Sequence, residues 1–231
     1  MFDKFSPKTK KVVLIIGVVL PLFFTQAYLQ QPLNAYKVNQ REDFLYLPSG
    51  DYLKPLALGY NQVVADLLWI KTVHYFGSHF TTDKEYPWLH HILSIIIDLD
   101  PQFDFPYYFG GIVLSMEADQ KDRANDILAR GMEAYPEKWE YPFYIGFNHY
   151  YHDGNPAAAL PFIEKAAALP KVPEFVKSLV GTLYLETGKK ETALQFFRKI
   201  YENTSDDLVR EKISMKVEKI LSEEVNHDIR D

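Results

Sequence analysis

The side chains best able to do chemistry in this 231-residue chain are its seven histidines: His74, His79, His90, His91, His149, His152 and His227. His149 and His152 stand at i and i+3 within a helical pattern, a spacing that can bring two imidazoles to one side of a metal ion, with Asp153 as a candidate third ligand. No HExxH pair accompanies them and no further ligand converges by spacing, so they read as helix-end or interfacial histidines. The sequence shows no Ser, His and acid arrangement, no phosphate loop and no nucleotide fingerprint. Gly110-Gly111 is a lone pair inside a helical pattern, and Glu223-Glu224 falls on a charged helix face where carboxylates are solvated. There is no cysteine, which removes disulfides, a thiolate nucleophile, a Cys-ligated zinc and a lipoprotein anchor. The expectation is a protein that is not an enzyme and that takes no metal, cofactor or small-molecule substrate.

Charge narrows the partners. The net charge is −6, and residues 1–11 carry Lys4, Lys8, Lys10 and Lys11 against Asp3, so the remainder is more acidic still. Binding of nucleic acid needs a clustered Lys/Arg surface, which an acidic body lacks. Apolar residues make up 47% and aromatics 15%, enough to exclude disorder over most of the length.

Behind the basic start, Val12 to Phe24 is an apolar run interrupted only by Gly17 and Pro21, and extension to Leu29 adds Thr25 and Gln26. Thirteen residues suit the core of a secretory signal, while the extended stretch suits a short membrane helix. Residues 1–29 read as a signal anchor, with a cleaved signal peptide or a buried core helix as alternatives. The lysines place the amino terminus in the cytoplasm and everything after about residue 30 on the far side of a bacterial inner membrane, facing the periplasm. Residues 30–53, with Pro32 and Pro48, read as a linker.

The body repeats. Gly111, Gly146 and Gly181 are 35 apart; Ala124, Ala158 and Ala193 are spaced 34 and 35, as are Leu128, Phe162 and Phe197; Pro101, Pro136 and Pro170 close the units. Four series with one period mark a repeat array, in which one helical hairpin cannot bury its own apolar face and its neighbours must. A small residue where helices cross lets backbones approach, and a large residue four positions after the Ala fills the space beside the crossing. Asp153-Gly154-Asn155-Pro156 and Thr187-Gly188-Lys189-Lys190 read as the turns inside hairpins.

These residues resemble the tetratricopeptide repeat (TPR) family, most closely through Gly146, Ala158, Phe162 and Pro170 in one unit and Gly181, Tyr184, Ala193 and Phe197 in the next. In the unit of residues 104–136, Gly111 sits one position off the register set by Ala124 and Pro136. The fold class expected is all-α: a degenerate hairpin over 54–100, three TPR-like repeats over 104–204, and a capping helix over 206–226. That last helix would place Val209, Ile213, Val217, Ile220, Leu221 and Val225 on one face.

The resemblance further implies a concave groove lined by Tyr108, Ile112 and Ser115, by Phe143, Phe147 and Tyr150, and by Ser178, Thr182 and Leu185, with Phe105, Tyr151 and Phe175 nearby. Its aromatic, nearly uncharged lining differs from the clamp that holds acidic carboxyl-terminal tails in other family members. The groove would take an apolar segment of a protein partner, or else be filled by the chain's own helix around Ala65 to Phe76. Trp69, Tyr75, Phe76, Tyr86 and Trp88 have a further alternative at the membrane interface. The function expected is that of a membrane-tethered scaffold binding another envelope protein. The alternative is an assembly or maturation factor for exported proteins of the pilus or cytochrome type.

Overall fold

The computed structural model describes residues 47–228, with side chains through residue 222, and position 21. The described fold lies in the unit Pro48–Asp231. The segment read as an anchor or signal, and most of the linker behind it, lie outside the described residues. The all-α expectation holds among those that are described, which form ten helices: α1 (Gly50–Leu56), α2 (Asn61–Phe80), α3 (Leu89–Leu99), α4 (Asp104–Met116), α5 (Lys121–Ala134), α6 (Glu140–Tyr151), α7 (Pro156–Ala167), α8 (Glu174–Glu186), α9 (Lys190–Asn203) and α10 (Asp207–Asp228). None of them is long and apolar enough to cross a membrane.

From α2 onward each helix packs on the next in chain order, and α3 also meets α1 and α5, while α4 also meets α6. The last residues of the stretch read as linker are helical, because α1 begins at Gly50. A Cβ there would lie 2.2 Å from Cβ of Asp98, so only glycine allows α1 this close to α3. The helix α3 carries Ile95-Ile96-Ile97, a β-branched run that local propensity would give to a strand, yet it is helical. The reason is tertiary: Leu89, Ile92, Leu93, Ile95, Ile96, Ile97 and Leu99 are all buried among α1, α2, α4 and α5.

Glycine sits where α4, α6 and α8 each cross the following helix. A Cβ at Gly111 would be 2.3 Å from Leu128, at Gly146 2.7 Å from Ile163, and at Gly181 2.5 Å from Phe197. These distances correct the register of the middle unit. There the fully buried pair is Ala159 and Ile163, whereas Ala158 and Phe162 are half-buried, with Phe162 stacked on His149 at 5.6 Å between ring centroids. The unit of Gly111 is therefore not displaced: Gly111 to Ala124 and Gly146 to Ala159 have the same spacing, and Gly181 to Ala193 is one residue shorter. Turn length accounts for this, since residues 117–120 and 152–155 join the first two pairs of helices and only 187–189 the third.

Local chemistry fixes the ends. Gly154 has φ +56°, the Oδ1 of Asn155 accepts a 3.0 Å bond from the Ala158 amide, and Pro156 opens α7. Pro136 and Pro170 follow the last residues of α5 and α7, Ala134 and Ala167. In α10, Ile213 and Ile220 are buried against Ala193, Phe197 and Ile200, with Val209 and Val217 partly buried. Leu221 is exposed, and the side chain of Val225 lies outside those described.

Candidate functional site

The sequence EYPFYIGFNHYY of α6 puts Phe143, Phe147 and Tyr151 four residues apart, hence on one helix face. Phe143 and Phe147 stack with centroids 6.0 Å apart, and Phe147 and Tyr151 stack at 5.5 Å with planes within 9°. Trp139 extends the row, 5.7 Å from Phe143, and Phe175 from the start of α8 meets both Phe143 (5.6 Å) and Trp139 (6.2 Å) edge-on. Phe143 is buried and Phe147 half-buried, but Tyr151 is 64% and Phe175 56% exposed. The row therefore ends in an open aromatic edge.

The other residues read as groove-lining go elsewhere. Phe105 joins a separate cluster in which Trp69 of α2 meets Phe103, Phe105 and Phe109 at 5.2–5.8 Å, and Phe76 meets Phe109 at 5.2 Å. The chain's own α2 thus packs on the aromatic end of α4, while the ring contacts of Phe147, Tyr151 and Phe175 are with Phe143, Trp139, His152 and one another. Tyr108 faces Tyr144, with hydroxyls 3.3 Å apart. Tyr150 donates to Glu186 at 2.8 Å, which puts a carboxylate beside a lining expected to be nearly uncharged. Thr182 donates to the Ser178 carbonyl of its own helix, and Ile112 is half-buried. Tyr75 and Tyr86, considered as interface aromatics, are buried instead.

The two histidines at i, i+3 separate as well. Asp153 receives His149 Nδ1 at 3.0 Å and the Lys121 ammonium at 2.6 Å, and these partners, Lys121 first, hold its carboxyl below the usual range. His152 turns to Ser115. Among the described residues no three His, Asp or Glu side chains are placed to hold a metal ion.

One constellation escaped the sequence. Ser115 Oγ lies 3.0 Å from His152 Nε2, and Asp119 Oδ1 lies 3.8 Å from His152 Nδ1, an order of groups that resembles a hydrolytic triad. Its protons run the wrong way. Ser115 donates to Asn148 Oδ1 at 2.6 Å and Asn148 Nδ2 donates to Asn125 at 2.7 Å, an arrangement in which His152 Nε2 is the donor to Ser115 rather than its base. Ser115 and Asn148 are both buried. The network is a polar strut between α4, α5 and α6. Asn148→Ala is expected to leave the Ser115 proton without its acceptor and the Asn125 Oδ1 without its donor, and to cost about 1–3 kcal/mol in urea unfolding, more than Ser115→Ala. An equal cost for the two would contradict this assignment.

A cavity of about 510 Å³ opens between α7, α8 and α9, lined by Ala167, Val180, Phe196, Glu164, Glu174 and Lys199. Glu164 meets the Tyr184 hydroxyl, and Glu174 meets Lys177 through Oε1 at 2.7 Å while its Oε2 is buried without a hydrogen-bond partner. The α6 face thus offers aromatic contact area, most of it at Tyr151 and Phe175. In comparison with known proteins, the chain matches no family model and no curated sequence.

Proposed function

We propose that the protein is a membrane-tethered scaffold in which α4–α9 form a TPR-like array of three hairpins capped by α10. In this reading residues 1–29 hold the chain at a bacterial inner membrane with the repeats in the periplasm, and the aromatic edge of Phe147, Tyr151 and Phe175 binds an apolar segment of another envelope protein. The observation that carries it is that edge: two large aromatics more than half exposed, continuous with a stacked row that fixes their orientation. Tyr and Phe supply much contact area with little loss of side-chain freedom, and such exposed apolar surface is uncommon unless it is used. The 35-residue glycine period and the packing of each helix on the next support the array. Confinement to the membrane plane raises the effective concentration of a membrane-bound partner.

Carboxylates on the edge test the reading. The variant Tyr151→Asp with Phe175→Asp changes two exposed positions and is expected to keep its helical content and thermal midpoint. In native electrophoresis of gently solubilised membranes, the wild type is expected in a discrete assembly larger than itself and the variant as free protein. Unchanged migration of a folded variant would refute a role for this edge.

A further inference from the structure

We infer that α1 and α2 carry a second docking surface, and that its occupant is the interfacial layer of the phospholipid bilayer. In α2, Ala65, Leu68, Thr72, Tyr75 and His79 are buried, and Trp69 and Phe76 point to the aromatics of α4. The opposite arc carries Val63, Leu67, Ile70 and Val73, spaced three and four apart and 45–64% exposed, with the exposed Asp66 and His74 among them. Tyr52, Leu56, Leu58 and Tyr60 precede them and are more exposed still, Leu58 standing at φ +50°. A helix with apolar residues on both sides is normally covered on both, and among the described residues α2 is covered on one.

Charge and connectivity select the occupant. Residues 50–80 hold two basic and two acidic side chains, Lys54 and Lys71 against Asp51 and Asp66, and so are neutral. Residues 81–231 hold 17 basic and 26 acidic side chains, a balance of −9, and residues 1–49 a balance of +3. An anionic bilayer surface repels the acidic repeats and admits the neutral apolar face, which orients the molecule on its α2 side. Only residues 30–49 separate the apolar segment from α1, at most about 70 Å of extended chain, so even weak partition of α2 is enhanced by the tether. An amphipathic helix lying in the interface buries its apolar arc among headgroups and upper acyl chains, and the exposed arc of α2, mostly aliphatic, suits that depth. The inference rests on the reading of residues 12–29 as a membrane segment, and the experiment reads that segment separately.

Because the chain has no cysteine, single substitutions Leu67→Cys, Ile70→Cys, Lys212→Cys and Leu20→Cys each carry one environment-sensitive fluorophore. The full-length protein is reconstituted in phosphatidylcholine–phosphatidylglycerol vesicles and quenched with nitroxide-labelled lipid or with aqueous iodide. Labels at 67 and 70 are expected to be quenched severalfold more by the lipid nitroxide than the label at 212, and shielded from iodide. Iodide quenching at 67 and 70 equal to that at 212 overturns the inference. Shielding without lipid quenching, lost on dilution of protein in the vesicles, also overturns it and assigns the arc to a second copy. Failure of the label at 20 to meet lipid nitroxide would sink the anchor alone if 67 and 70 are still quenched, and both readings if they are not.

Discussion

Phe197→Ala is expected to cost about 3–5 kcal/mol, a large share of the roughly 5–15 kcal/mol that holds a typical domain together. Phe197 is fully buried, its ring lies where a Cβ on Gly181 would be 2.5 Å away, and it packs with Ala193, Ile200, Ile213 and Ile220. The ammonium of Lys216 sits 5.6 Å above the ring and donates to Ser178 at 2.9 Å. One side chain therefore joins α8, α9 and α10, and its loss should free α10 first. Urea unfolding gives the magnitude, and limited proteolysis should show new cleavage after about residue 203 before the rest of the chain is lost. The middle unit supplies the contrast: Ile163→Ala is expected to cost about 2–5 kcal/mol and Phe162→Ala less, because only Ile163 lies beneath Gly146. The reverse order would reinstate the register in which Ala158 and Phe162 form the crossing.

The second large effect is alkaline unfolding. Burial pushes the Tyr107 hydroxyl up to about 12, and the Glu164 carboxylate, with burial, pushes Tyr184 to about 12. Tyr141 and Tyr144 are raised further by burial, aided by the Asp104 carboxylate and by the Tyr108 hydroxyl respectively. A phenol whose folded value is raised favours the folded state in full below the unfolded value near 10, and that contribution is lost as pH rises from 10 through the folded value. For the buried Tyr107 alone it is on the order of 2–3 kcal/mol. Tyrosinate absorbance and helical circular dichroism are expected to change together in one steep transition above pH 10. Gradual ionisation of all tyrosines near 10 with the helices retained would contradict this assignment.

What was legible in the sequence was whatever depends on close approach within a hairpin. Gly111, Gly146 and Gly181 stand at helix crossings where a side chain does not fit, and small residues on that scale are visible as a period. Register within α7 was not legible, because Ala157, Ala158 and Ala159 are consecutive and Phe162 adjoins Ile163, so two alignments satisfy the same pattern. Gly131 belongs to none of these series, yet a Cβ there would lie 2.7 Å from the Tyr141 ring and 3.1 Å from Tyr107.

The candidate site was legible in part for a related reason. Phe143, Phe147 and Tyr151 share a face by helical spacing alone, and this survives into the structure as a stacked row. Which aromatics remain open depends on what packs over them. Trp69 lies 34 residues before Phe103 and still reaches it, and no local pattern foretells that contact. The same holds for the Ser115–Asn148–Asn125 strut, whose members come from three helices. The exposed arc of α2 was concealed by its own composition, since apolar residues on both sides of a helix leave little amphipathic signal.

The proposed function requires that another protein occupy the aromatic edge of α6 and α8 in the cell. The most direct measurement is photo-crosslinking in vivo from probes at Tyr151 and at Phe175, with a probe at the exposed Lys212 as control. A single discrete adduct shared by Tyr151 and Phe175 and missing from Lys212 is the result predicted, and its mass identifies the partner. A smear of many exported proteins would replace the dedicated scaffold with a maturation factor. No intermolecular adduct from either position would contradict the proposed function outright.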